Sequence, residues 1–157
     1  MATDLSELAF ATAVEQEGLR RWLTARGTPE IMEQALLQEE RQQGFVQLVS
    51  EYQQRFDELY SSDLDNEAMR QAKLELQETL RDAHQELKVQ WGGYRGYDGW
   101  FSRSLNNAQL STVASYNDLV PQFQTLLFSR NSDLPAFYRA VTELSELSEE
   151  ERAQRLH

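Results

Sequence analysis

The sequence contains no cysteine. Disulfides, thiol nucleophiles and cysteine-ligated metal centres are therefore excluded. Histidine is almost absent too, with only His84 and His157. The two do not stand at ligand spacing, so no histidine-based zinc site can be built within one copy. No Ser-His-acid arrangement can be argued either. His84, between Ala83 and Gln85, reads as a polar-face residue of a helix, and His157 reads as a mobile terminal residue. Positive charge is scarce, and the formal net charge is -11. Such a surface repels phosphate, and nucleic-acid binding would need a basic patch. The densest basic pair, Arg20-Arg21, has Glu15 and Glu17 close by, so no nucleic-acid partner is expected.

Long apolar runs are missing, and with them any transmembrane segment. Met1-Ala2-Thr3-Asp4-Leu5 has neither the basic region nor the apolar core of a signal peptide. Nothing alternates with period two over a useful length, so no strand is expected. No repeat of solenoid period is present. Only three prolines and seven glycines interrupt 157 residues rich in Gln, Glu, Leu, Ala and Arg, a composition that favours helix.

The fold class expected is all-α, in one helical domain spanning 1–157. A first helix fills most of 1–27, with Phe10, Ala11, Val14, Leu19, Trp22 and Leu23 as its apolar positions. Thr28-Pro29-Glu30 restarts the chain with an N-cap, a proline at the first position and a first-turn acid. Residues 28–91 read as a long antiparallel helical hairpin. Its first helix has a seam at Phe45, Leu48, Val49, Tyr52, Phe56 and Leu59, with Gly44 marking a kink or a close helix contact. Its second, capped by Asp65, carries Met69, Ala72, Leu76, Leu80, Ala83, Leu87 and Trp91 as one amphipathic stripe. A loop spans 92–105, and several short helices fill 106–157. Among these a helix is expected to stop near Ser115, with Tyr116-Asn117-Asp118 a polar breakpoint and Pro121 at the start of the next.

Four of the seven glycines, two of the three tryptophans and two of the six tyrosines fall between Trp91 and Phe101. Glycine permits positive φ and close backbone approach, and large aromatics bring buried area with a polar edge. The segment suggests a shaped surface, a cleft wall or a packed corner. Its glycines form neither GxGxxG nor a P-loop, so a phosphate cradle is not indicated. Acidic pairs such as Glu15 and Glu17, or Glu39 and Glu40, read as solvated faces. The candidate substrate-binding residues are Tyr94, Tyr97, Asn106, Asn107, Tyr116, Asn117 and Asp118, polar or half-polar groups at expected loops and helix starts. Each also has a plain structural reading, as a cap, a first-turn acid or packing.

Phe10-Ala11-Thr12-Ala13-Val14-Glu15-Gln16-Glu17-Gly18 with Arg21-Trp22-Leu23 resembles a segment of a bacterial family of predicted aminopeptidases. The resemblance continues in Tyr60-Ser61-Ser62-Asp63-Leu64-Asp65, in Trp91-Gly92-Gly93-Tyr94 with Tyr97-Asp98, and in Leu105-Asn106-Asn107-Ala108. It ends in Ser115-Tyr116-Asn117-Asp118-Leu119-Val120-Pro121 and Asp133-Leu134-Pro135-Ala136-Phe137-Tyr138. It implies a gluzincin-like zinc metallopeptidase, of which this chain would be the C-terminal helical part. In that family two histidines of an HExxH helix bind zinc and its glutamate is the general base. The third ligand is the glutamate of an Asn-Glu-Ser-Phe-Ala segment. Many members look like lipoproteins, which implies a bacterial envelope or periplasmic location.

This chain has no HExxH. Its counterpart of the third-ligand segment reads Ser6-Glu7-Leu8-Ala9-Phe10, and the family's glutamate falls on Leu8. Glu7, the candidate metal ligand, is one residue out of register, about 100° around a helix. An inserted residue, or a segment Met1-Leu8 foreign to the family, would account for the shift. The expectation is a helical region that shapes the peptide cleft of a zinc aminopeptidase, completed by a separate metal-binding half. Alone it would bind no zinc and hydrolyse no peptide. The alternatives are a non-enzymatic helical interaction module and a helical domain without activity. A surface left by a missing half would expose Phe10 and Trp22.

Overall fold

The computed structural model describes residues 2–156, with side chains from residue 7 onward; His157 lies outside the described residues. Among them every regular element is helical: α1 (Ala2–Arg26), α2 (Pro29–Tyr60), α3 (Asn66–Gln90), α4 (Asp98–Phe101), α5 (Asn107–Ser129), α6 (Leu134–Ser145) and α7 (Glu149–Leu156). They form two compact units, one of residues up to Arg26 with those from Ser115 on, the other Gly27–Ala114.

The unit Gly27–Ala114 is built on the hairpin of α2 and α3. Thr28 caps α2, its hydroxyl accepting from the Ile31 amide, and Pro29 occupies the first turn. Asp65 caps α3, accepting from the amides of Glu67 at 3.0 Å and Ala68 at 2.9 Å. Each cap satisfies amides that the first turn leaves free, worth about 1 kcal/mol. Phe45, Val46, Val49, Tyr52 and Phe56 from α2 meet Leu80, Leu76 and Ala83 from α3. Gly44 is a close contact rather than a kink: a Cβ there would stand 3.0 Å from the Trp91 indole. Phe101, Leu105 and Leu110 close the same core.

In the other unit, Ala9 and Ala13 let α1 approach the apolar face of α5, made of Val120, Phe123 and Leu127, and Phe137 of α6. Phe10 stacks on Phe137 at 5.5 Å and meets Phe123 edge-on. Asp133 caps α6, and Ser148 with Glu151 forms a reciprocal capping box on α7.

Four expectations need correction. Helix α5 runs unbroken through Tyr116-Asn117-Asp118, with Pro121 inside it. Burial of Val120, Phe123 and Leu127 on one face outweighs the hydrogen bond that the proline removes. His84 is buried, not a polar-face residue. Glu17 is also buried, with Arg20 and Arg21 closing over it at 2.8 and 2.7 Å. Of the two residues named for an exposed apolar surface, Trp22 is exposed and Phe10 is packed.

Candidate functional site

The aromatic segment stands half out of its unit. Trp91, Tyr94, Tyr97 and Trp100 are each partly covered, while Gly92, Gly93, Arg95, Gly96 and Gly99 are exposed. Gly92 and Gly93 have φ of 67° and 85°, the left-handed turn that reverses the chain after α3. Tyr97 is the hub. Its ring stacks on Phe45 at 4.2 Å and touches Trp91 and Tyr94. Burial pushes its phenol above the ordinary value, so it stays a neutral hydroxyl. The Tyr94 ring has the Arg41 guanidinium 4.2 Å above it. The same ring folds over Gly96, where a Cβ would collide with the Tyr94 hydroxyl. Both tyrosines therefore carry packing as well as surface.

The chain from α4 to α5 is strapped to α3 by a stripe invisible to apolar patterning. Gln77, Arg81, His84 and Lys88 recur at spacings of four, three and four, so they share one face. Gln77 Nε2 donates to the carbonyls of Ser104 (3.0 Å) and Leu105 (3.3 Å). These bonds hold Leu105, a buried non-glycine residue with φ 48°. Arg81 donates to the carbonyls of Phe101 and Arg103. Lys88 Nζ donates to both Asp98 oxygens, at 2.8 and 2.7 Å, and Arg95 adds a third contact at 3.2 Å. Lys88 first, then Arg95, holds the Asp98 carboxyl below its ordinary range. His84, between these anchors, stacks on Phe101 at 3.9 Å. A polar residue every three or four positions, one place beside the apolar stripe, is the signal that could have found this strap.

The remaining candidates divide between the units. Asn106 is exposed and serves as a cap: its Oδ1 accepts from the Gln109 amide at 2.9 Å, and its Nδ2 donates to Ser104 Oγ. Asn107 is exposed at the start of α5. Together with Tyr94 and Tyr97 these belong to Gly27–Ala114. Tyr116, Asn117 and Asp118 belong to the other unit. Tyr116 is half-buried, and its hydroxyl is hydrogen-bonded to Thr12 Oγ1. Asn117 is half-buried and Asp118 exposed. Pro121 has no amide hydrogen, so the Asn117 carbonyl loses its helical donor four residues on. An exposed carboxylate and a carbonyl without its usual amide thus fall on consecutive residues, and both are acceptors.

Glu7 is exposed on α1. Among the described residues no three His, Cys, Asp or Glu side chains are grouped to hold a metal ion. His84 does not supply a donor, being enclosed between Phe101 and a carboxylate already bound by Lys88. The zinc implied by the resemblance therefore does not fit on the described residues. No helix among the described residues is long and apolar enough to cross a membrane.

A protein-family model described as "Putative aminopeptidase" matches residues 2–156. No curated protein and no solved structure matches the chain.

Proposed function

The chain belongs to the family described as "Putative aminopeptidase", and on that premise we propose that it is the helical, cleft-forming region of a zinc-dependent aminopeptidase. Its part is to receive a peptide, not to cleave it. Asp118 pairs with the α-ammonium of the substrate, and the Asn117 carbonyl accepts a second hydrogen from the same group. A carboxylate beside a carbonyl that lacks its helical amide suits a cation with three N–H groups. The observation that carries this reading is the placement of Pro121, which releases the Asn117 carbonyl beside the exposed Asp118. Within the unit Gly27–Ala114, and separately from Asp118, Tyr94, Tyr97 and Asn107 offer hydroxyl and amide groups to a peptide backbone, and Asn106 sets the start of α5. Metal and general base come from a separate half, to which Glu7 would contribute at most one ligand. An envelope location is part of the same reading, with the family resemblance as its support.

A second reading, a helical interaction module, has one observation in its favour. Ile31, Met32, Leu36 and Leu37 are exposed on the first half of α2, an apolar surface of the kind that binds a partner helix.

The test is zinc content and release of p-nitroaniline from aminoacyl p-nitroanilides by the purified chain. The expected result is neither stoichiometric zinc nor turnover. Stoichiometric zinc with turnover would place the metal and the base on this chain and contradict the proposal.

A further inference from the structure

His84 is 1% exposed, and its Nε2 has no hydrogen-bond partner among the described residues. Its ring lies nearly parallel to Phe101, 13° apart at 3.9 Å. A neutral imidazole with one unpaired nitrogen is tolerable there, whereas a buried imidazolium needs an anion. The nearest is Asp98, whose Oδ1 is 3.9 Å from Nε2, beyond hydrogen-bond reach. Both of its oxygens are already held by Lys88, and Arg95 takes one of them again.

The other packed elements offer His84 no relief. On α3, Arg81 is a further cation, spent on the Phe101 and Arg103 carbonyls. From α2 come Phe45, against Phe101, the Tyr52 phenol, bonded to the Thr79 carbonyl, and Arg41, which lies over Tyr94. Gln109 of α5 is neutral and donates to the Trp100 carbonyl. Protonation would thus add a cation among Arg81, Lys88 and Arg95 with one carboxylate already shared.

We propose that His84 is a pH-sensitive latch under the strapped segment: the neutral ring seats residues 98–105 on α3, and protonation favours their opening. The segment, which also buries Phe101 and Leu105 in the core of its unit, opens as a local unit against that burial. It is held to α3 by the bonds from Gln77, Arg81 and Lys88 and by the stack on His84. Opening wets the imidazole while α2 and α3 stay paired, a sub-global event. Burial first, and then Lys88, lowers the affinity of His84 for a proton below the ordinary 6.5, and Asp98 opposes this. An open segment takes up that proton from 6.5 downward. The closed state is therefore fully favoured above 6.5 and weakens as pH falls below it.

The latch stands apart from the peptidase reading, and its test uses no substrate. Backbone amide exchange of residues 98–105 is measured from pH 7.5 to 5, corrected for the intrinsic pH dependence of exchange. Protection is expected to be level above 6.5 and to fall by up to ~tenfold per pH unit below it. In His84→Phe, which keeps a stacked ring, it should stay level. In His157→Ala only the His84 imidazole remains to be followed by NMR, and its midpoint should lie below 6.5. Level protection in the wild type overturns the latch. So does a loss shared equally by all amides of Gly27–Ala114, a midpoint at or above 6.5, or a pH response retained in His84→Phe. Should that variant fail to fold, wild-type exchange and the imidazole titration still decide.

Discussion

At the residue scale the most consequential side chains are polar ones in apolar surroundings. Glu17 is 4% exposed, yet its neighbours Glu15 and Gly18 are exposed, and composition alone makes it part of an acidic surface. Arg20 and Arg21, three and four residues on, cover it and supply its hydrogen bonds. The bond from Arg20, aided by Arg21 and opposed by burial, lowers its carboxyl from 4.5 to about 2. The unfolded chain takes up this proton from 4.5 downward, whereas the folded chain resists to about 2. The ion pair's contribution is thus complete above pH 4.5 and disappears as pH falls through 2. Glu17→Gln should lower stability at pH 7 by about 2 kcal/mol, less than a fully buried pair because both arginines reach solvent. Its stability should also be flatter than the wild type's between pH 4.5 and 2, as read by urea unfolding across that range. Wild-type stability at pH 7 would contradict this account of Glu17.

At the scale of elements, the helices with chemical start signals were legible. Thr28-Pro29 and Asp65 cap their helices as their residue types require. The middle of α5 was not legible, because a proline after a polar triplet normally opens a helix. Here the buried stripe of Val120, Phe123 and Leu127 continues across it, and tertiary burial keeps the helix whole. The polar stripe of α3 was missed because its residues alternate with exposed ones and resemble surface. Pro121→Ala restores the amide for the Asn117 carbonyl and should stabilise the protein, by at most about 3 kcal/mol. Thermal unfolding should show a raised midpoint. An unchanged or lowered midpoint would mean that the Asn117 carbonyl is already satisfied, and it would remove half of the proposed ammonium receptor.

At the scale of the whole molecule, scarce glycine and proline made the all-α class and the α2–α3 hairpin readable, and ordered landmarks made the family readable. The grouping into two units was hidden, since α5 contributes Ala114 to one and Ser115 to the other without a break in helix. Landmarks that are contiguous in sequence thus belong to different packing neighbourhoods. Asn106 and Asn107 lie with the aromatic segment, and Tyr116, Asn117 and Asp118 with α1 and α6. The central claim, that this chain receives a free peptide N-terminus at Asn117 and Asp118, is tested most directly by NMR. Leucinamide and N-acetyl-leucinamide are titrated separately into the isotope-labelled chain. Leucinamide should shift the backbone amides around Asn117 and Asp118, that response should be lost in Asp118→Asn, and the acetylated compound should leave these amides unmoved. No shift at these residues, or equal shifts from both compounds, would contradict the claim.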